Sequence, residues 1–111
     1  MALVTSHTLN GTDGTHAAGI FVSLTNLATG TMLFSATTDE GGRLSSTIAP
    51  SLIDPEVTHE LLFDVKLYWA ARRLPATVNE IALRLVMADP DGSYHLPIII
   101  NPNSYSMWSS A

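Results

Sequence analysis

The sequence predicts an all-β fold, a two-sheet β-sandwich of about eight strands with one short α-helix. Turn residues recur at short intervals, and the segments between them are rich in apolar and β-branched residues. That combination is typical of sandwiches built from short strands. The chain has 111 residues, of which 46% are hydrophobic. This is enough for one core, so residues 1–111 are predicted to form a single domain.

The turn signals place the elements in order along the chain. Strands are predicted at residues 3–9, 19–26, 31–37, 43–47, 59–66, 80–88, 93–100 and 104–109. One segment, residues 67–74, consists mainly of helix-forming residues and contains no turn residue before Pro75. We predict a short helix there. A helix of this length is not stable alone, so it must pack on the sandwich.

Alternation along a strand assigns side chains to two faces. In the first strand Thr5 and His7 fall on one face and Val4 on the other. In the seventh strand the second apolar set, Leu96, Ile98 and Ile100, is the natural core face. The outward face then carries His95, Pro97 and Ile99, and is apolar enough to suit a pocket or a subunit interface.

Charge and composition exclude several classes of protein. The net charge is −5 with a single lysine and four arginines, so a phosphate-binding surface and a nucleic-acid partner are not expected. There is no cysteine, which excludes thiolate catalysis and disulfides. No apolar run is long enough to cross a membrane, and neither a secretory signal nor a Ser-Lys-Leu ending is present. We expect a cytoplasmic protein without a membrane partner.

Single residues give only weak indications of chemistry. Taken alone, His7, His95 and Arg43 are more often surface or structural residues than catalytic ones. His16, in a turn, and His59, at the start of a strand, are interpreted as structural. No histidine–carboxylate spacing of a metal site and no Gly-x-Ser-x-Gly elbow occurs, so neither a metal nor another cofactor is expected.

Four segments, taken in order along the chain, match the pattern of one protein family. They are residues 3–10 (LVTSHTLN), 14–19 (GTHAAG), 37–43 (TTDEGGR) and 94–102 (YHLPIIINP). The first is similar to an opening strand with a histidine, and the second to a following Gly-x-Pro-Ala turn, with His16 in place of the usual proline. The third is similar to a Thr…Asp-Gly-Arg segment, and the fourth to a Tyr-His-Val-Pro-Leu-Leu-Leu-Ser-Pro stretch. In this order the segments resemble the transthyretin-like family, and within it the 5-hydroxyisourate hydrolase branch.

The resemblance implies a function and a site. It implies hydrolysis of a ring amide of 5-hydroxyisourate in urate degradation, without a metal or cofactor. The small-molecule substrate would bind in a channel between the dimers of a homotetramer. The catalytic residues would be His7, Arg43 and His95. With the alternation of the strands, it predicts further channel-lining residues: Pro97, Ile99, Ser106 and Trp108.

The C-terminal tail departs from the family pattern. The family ends Tyr-Ser-Thr-Tyr-Arg-Gly-Ser, whereas this chain has Trp108 in place of the second tyrosine and Ser109 in place of the arginine, followed by Ser110 and Ala111. A cation near an anionic substrate is lost, and the site becomes more apolar. Two alternatives therefore stay open: a related enzyme acting on another heterocyclic or more apolar molecule, and a non-catalytic transthyretin-like protein that binds a small ligand.

Overall fold

A computed structural model describes residues 1–110, and Ala111, the last residue of the tail, lies outside the described residues. In this range the chain forms a β-sandwich with one short α-helix and one 3-10 turn. The elements are β1 Ala2–Asn10, β2 Phe21–Asn26, β3 Thr31–Thr37, β4 Arg43–Ile48, the 3-10 turn Pro50–Leu52, β5 Thr58–Asp64, α1 Lys66–Ala71, β6 Glu80–Val86, β7 Ser93–His95, β8 Ile98–Ile100 and β9 Tyr105–Met107.

The strands form two sheets. The first has the order β4-β1-β8-β9, with β7 also paired to β1, and the second has the order β3-β2-β5-β6. Strand β1 pairs antiparallel with β4 and parallel with β7 and β8. Buried and partly exposed residues alternate along the whole of β1. The predicted all-β sandwich and the predicted faces of β1 are therefore confirmed.

The predicted strand over residues 93–100 is wrong in one respect, because it is two short strands rather than one. The break falls at Leu96-Pro97, where proline has no amide hydrogen to donate. The register with β1 continues across the break, since Thr5 lies opposite His95 and Thr8 opposite Ile98. The alternation of buried and partly exposed residues also continues, with Leu96, Ile98 and Ile100 inside as predicted.

The helix is shorter than predicted and begins one residue earlier. It ends at Ala71, and Arg73 then adopts a positive φ of 57°. A left-handed residue ends an α-helix because the next amide turns back toward an earlier carbonyl, here Leu74 N–H to the carbonyl of Trp69 at 3.1 Å. Trp69 is buried and anchors the helix on the sandwich. The other strand ends lie within two residues of their predicted positions.

The core lies between the two sheets. Its largest fully buried side chains include Trp69 and Phe63, with leucine and isoleucine from both sheets around them. Burial of this kind stabilises a domain by about 25 cal/mol per Å² of apolar surface. The outward face of the first sheet does not contribute to this core.

Candidate active site

Strand register brings the three predicted catalytic residues onto one face. His7 of β1 lies directly opposite Arg43 of β4, and Thr5, two residues earlier, lies opposite His95 of β7. Residues two apart on a strand point to the same side, and directly opposed side chains are about 5 Å apart at Cβ. The outward face of the first sheet therefore carries His7, Arg43 and His95 as neighbours.

A tight turn before β4 positions Arg43. The carboxylate Oδ1 of Asp39 accepts hydrogen bonds from the amides of Gly41 and Arg43, each at 2.9 Å. Gly42 has a φ of +70°, and a Cβ added there would lie 2.4 Å from the carbonyl oxygen of Thr8. The amide of Thr8 donates to the carbonyl of Gly42 at 2.7 Å. The turn is therefore pressed against β1, and Arg43 starts its strand beside His7.

His95 is held by a threonine and borders a cavity. Its Nδ1 lies 2.8 Å from the Oγ1 of Thr5, a hydrogen bond that orients the half-buried ring. The cavity has a volume of about 410 Å³. It is lined by Thr5, Ser6, Asp39, Arg43, Leu44, Ser45 and His95. Within the described part of the chain, Arg43 and His95 thus share one cavity, and His7 lies next to it on the same face.

A third histidine, His16, joins the cluster, and the sequence reasoning missed it. The Nε2 of His7 lies 2.9 Å from the Nδ1 of His16, with the ring centroids 5.0 Å apart. His16 had been interpreted as a structural turn residue, and that interpretation is incomplete. The signal that could have identified it is the exchange of a turn proline for an imidazole only nine residues from His7. The direction of the His16 side chain depends on the backbone path of the turn. Side-chain alternation along strands does not describe that path.

The surroundings of His7 favour its neutral form. Burial is the largest cause of its lowered pKa, followed by the positive charge of Arg43 and then by His16. A hydrogen bond with the backbone of Gly41 raises the pKa of His7 and partly opposes this, while His95 adds a small further lowering. A neutral imidazole keeps a lone pair at neutral pH, which is what a general base needs.

The predicted lining residues lie along the same face. Ile99 is opposite Ser106 between β8 and β9, and the amide of Trp108 donates to the carbonyl of Pro97 at 3.3 Å. Pro97 and Ile99 are half-buried, while Ser106 and Trp108 are exposed. In the single chain, within residues 1–110, these four are not part of the 410 Å³ cavity lining. They extend the outward face beyond it.

The tail runs next to His95. The amide of Ser110 donates to the carbonyl of His95 at 2.8 Å, and the two residues form an isolated bridge. The positions that depart from the family pattern, Trp108 and Ser109, therefore lie along the segment from His95 to Pro97.

Among residues 1–110, no group of three or more histidines or carboxylates is placed to hold a metal ion. Within the same range, no helix is long and apolar enough to span a membrane.

Comparison with known proteins supports the hydrolase branch. The chain is similar to the 5-hydroxyisourate hydrolase of Deinococcus radiodurans, with 31% identity over 95% of this chain and 92% of that protein. It is also similar to the 5-hydroxyisourate hydrolase of Pseudomonas aeruginosa, with 28% identity over 97% of this chain and 90% of that protein. The predicted resemblance to this branch is confirmed.

Solved structures support the fold. That of Klebsiella pneumoniae 5-hydroxyisourate hydrolase is 24% identical, with a TM-score of 0.81 over 98% of this chain and 99% of that chain. Sea bream transthyretin in complex with thyroxine is 21% identical, with a TM-score of 0.82 over 97% and 94%. These likenesses confirm a transthyretin-like sandwich. Residues 4–109 match the HIUase/Transthyretin family, and the chain belongs to that family.

Proposed function

We propose that this protein is a hydrolase that opens the six-membered ring of 5-hydroxyisourate, with His7, Arg43 and His95 as its catalytic residues. The observation that carries the proposal is the strand register, which puts a guanidinium directly opposite one imidazole and a second imidazole on the adjacent strand. The curated relatives named above are 5-hydroxyisourate hydrolases, which supports the choice of substrate.

The proposed chemistry divides the work among the three side chains. Amide hydrolysis needs a base for water, a proton for the leaving nitrogen and a group that tolerates developing negative charge. His7, kept neutral by its surroundings, takes a proton from the attacking water. As the carbon–nitrogen bond breaks, His95 in its protonated form gives a proton to the ring nitrogen. The proton held by His7 then returns through solvent to His95, which restores both rings for the next turnover. Arg43 binds the anionic substrate through paired hydrogen bonds from its planar guanidinium.

The same proposal includes an assembly, a homotetramer in which the outward face of the first sheet meets a second copy. Several apolar residues of this face, among them Leu9, Pro97 and Ile99, are only half-buried in the single chain. An apolar face that is left half-exposed favours burial against a partner. Covering it would exclude water from the cavity and strengthen the interactions of Arg43 with an anion.

The experiment that tests this function follows the ultraviolet decay of 5-hydroxyisourate freshly made by urate oxidase. The purified protein should accelerate the decay over the uncatalysed rate. His7→Ala and His95→Ala should each lower turnover by about two orders of magnitude or more. Arg43→Gln should mainly raise KM, because it removes substrate binding.

Matched controls make the result specific. Arg84 is an exposed arginine of the second sheet, paired with Glu60 at 3.1 Å, so Arg84→Gln removes an equal charge away from the site and should leave the rate unchanged. A folded tetramer with no acceleration would contradict the substrate. Unchanged rates in both histidine variants would contradict the catalytic roles.

A further inference from the structure

We propose that His16 is a positioning residue for His7, with one proton shared between the Nε2 of His7 and the Nδ1 of His16. The inference rests on the proposed function for its catalytic consequence, but the shared proton is a property of the protein alone. It concerns the position where this chain differs from the Gly-x-Pro-Ala turn that it otherwise resembles.

The geometry is that of a direct hydrogen bond between two imidazoles. The two nitrogens are 2.9 Å apart, within the usual range for a nitrogen donor. The rings are tilted by 31°, so the contact is made through the ring edges and is not a parallel stack. His7 is half-buried and His16 is exposed, which means that the pair connects the site with solvent.

The backbone holds His16 beside β1, so that its side chain starts next to that of His7. Leu9 and His16 form an isolated bridge, flanked by the amide of Ala17 donating to the carbonyl of Thr8 at 2.9 Å. The hydroxyl of Thr38 also donates to the carbonyl of Ala17 at 2.9 Å. The segment that carries His16 is therefore tied to β1 and to the start of the turn before β4.

The turn itself does not need a histidine. The bonds that flank the bridge are donated by the amides of Asn10 and Ala17, and neither uses the amide of residue 16. A proline, which lacks that amide, fits the same two bonds. The fold therefore does not require a histidine at position 16. The imidazole there adds a nitrogen beside His7.

The shared proton has consequences for His7. A neutral imidazole has one donor and one acceptor nitrogen. For His7 to act as a base, its Nε2–H donates to the Nδ1 of His16, and its free lone pair lies on Nδ1. When His7 accepts a further proton, the bridge to His16 can carry charge toward the exposed ring. A second added proton would leave two facing donors, close to the positive Arg43 of β4 and to His95 of β7. The titration of His7 should therefore depend on the ring of His16 and proceed in two steps.

The first arm of the test uses NMR on the full-length protein labelled with ¹⁵N in histidine, in the absence of substrate. In the wild type, the curve for His7 should show two inflections. In His16→Phe, which keeps a ring but removes the nitrogens, the curve for His7 should show one. A single-site curve for His7 in the wild type, or an unchanged curve for His7 in the variant, would overturn the proposal.

The second arm uses kinetics and separates positioning from a purely structural role. His16→Phe and His16→Pro should both lower kcat by about five- to tenfold, the equivalent of one ordinary hydrogen bond, with KM little changed. His16→Asn, whose amide oxygen can replace Nδ1 as an acceptor, should recover most of the loss. Full activity in His16→Pro would show that the nitrogen is not used and would overturn the proposal.

The two arms keep this proposal separate from the proposed function. A coupled titration in a protein that does not hydrolyse 5-hydroxyisourate supports the shared proton and contradicts the substrate. An active enzyme with uncoupled histidines supports the substrate and contradicts the role of His16.

Discussion

Replacing Gly42 with alanine should destabilise the fold and reduce activity, because this glycine joins β1 to the turn that positions Arg43. Its φ of +70° costs an L-residue about 1–2 kcal/mol. The new Cβ would also meet the backbone oxygen of Thr8 at 2.4 Å, and backbone cannot rotate away as a side chain can. Such overpacking costs about 1–3 kcal/mol, so a total loss of about 2–5 kcal/mol is expected.

Gly30 provides a matched control. Its φ is +75°, nearly the same, but nothing lies within 4 Å of an added Cβ. Gly30→Ala should therefore show only the backbone cost. The assay is urea unfolding at a fixed protomer concentration, since assembly changes apparent stability, together with kcat/KM for both variants.

The difference between the two variants isolates the contact with Thr8. Gly42→Ala should be the less stable by about 1–3 kcal/mol, with a Tm lower by several degrees or more, and it alone should lose activity. Equal stabilities for the two variants would refute the reasoning, because the carbonyl contact would then have no measurable cost.

Three further predictions concern stability, substrate and pH. His59 is fully buried, and neither of its ring nitrogens has a hydrogen-bond partner within residues 1–110. His59→Leu should therefore raise the free energy of unfolding by about 1 kcal/mol. A lower free energy of unfolding, measured in urea, would contradict this. The double variant Trp108→Tyr with Ser109→Arg places a cation beside the site and should lower KM for an anionic substrate by about tenfold. An unchanged KM would show that the tail does not affect substrate binding. Because the pKa of His7 is lowered and a base must be unprotonated, kcat/KM should persist as the pH is lowered through the ordinary histidine pKa of about 6.5. An acidic limb of the profile at or above that pH would contradict the role of His7.

The two faces of the first sheet could be predicted from the sequence, because side-chain alternation is a property of extended backbone. The positions of Thr5, His7 and His95 on one face follow from it, and so does the inward position of Leu96 and Ile98. The register that sets His7 opposite Arg43 is a tertiary property. Only the resemblance to a family predicted that Arg43 would join the two histidines.

Other features could not be predicted because they depend on the path of the chain between strands. The approach of His16 to His7 results from a turn that folds back on β1 through Ala17 and Thr8, which no periodicity describes. The early end of the helix depends on the left-handed conformation of Arg73, an uncommon state for a residue other than glycine. The proline at position 97 is evident in the sequence, but its effect on the strand depends on how β7 and β8 pair with β1.

Because buried and half-buried residues alternate along β1, substitutions at even- and odd-numbered positions have different consequences. Even-numbered positions from Ala2 to Asn10 are buried, whereas odd-numbered positions from Leu3 to Leu9 are half-buried on the outward face, which carries the candidate site. Substitutions at odd positions can alter recognition at little cost in folding. Deletion of one residue within this strand would exchange the two sets, exposing the core residues and burying His7, so that scaffold and chemistry would fail together.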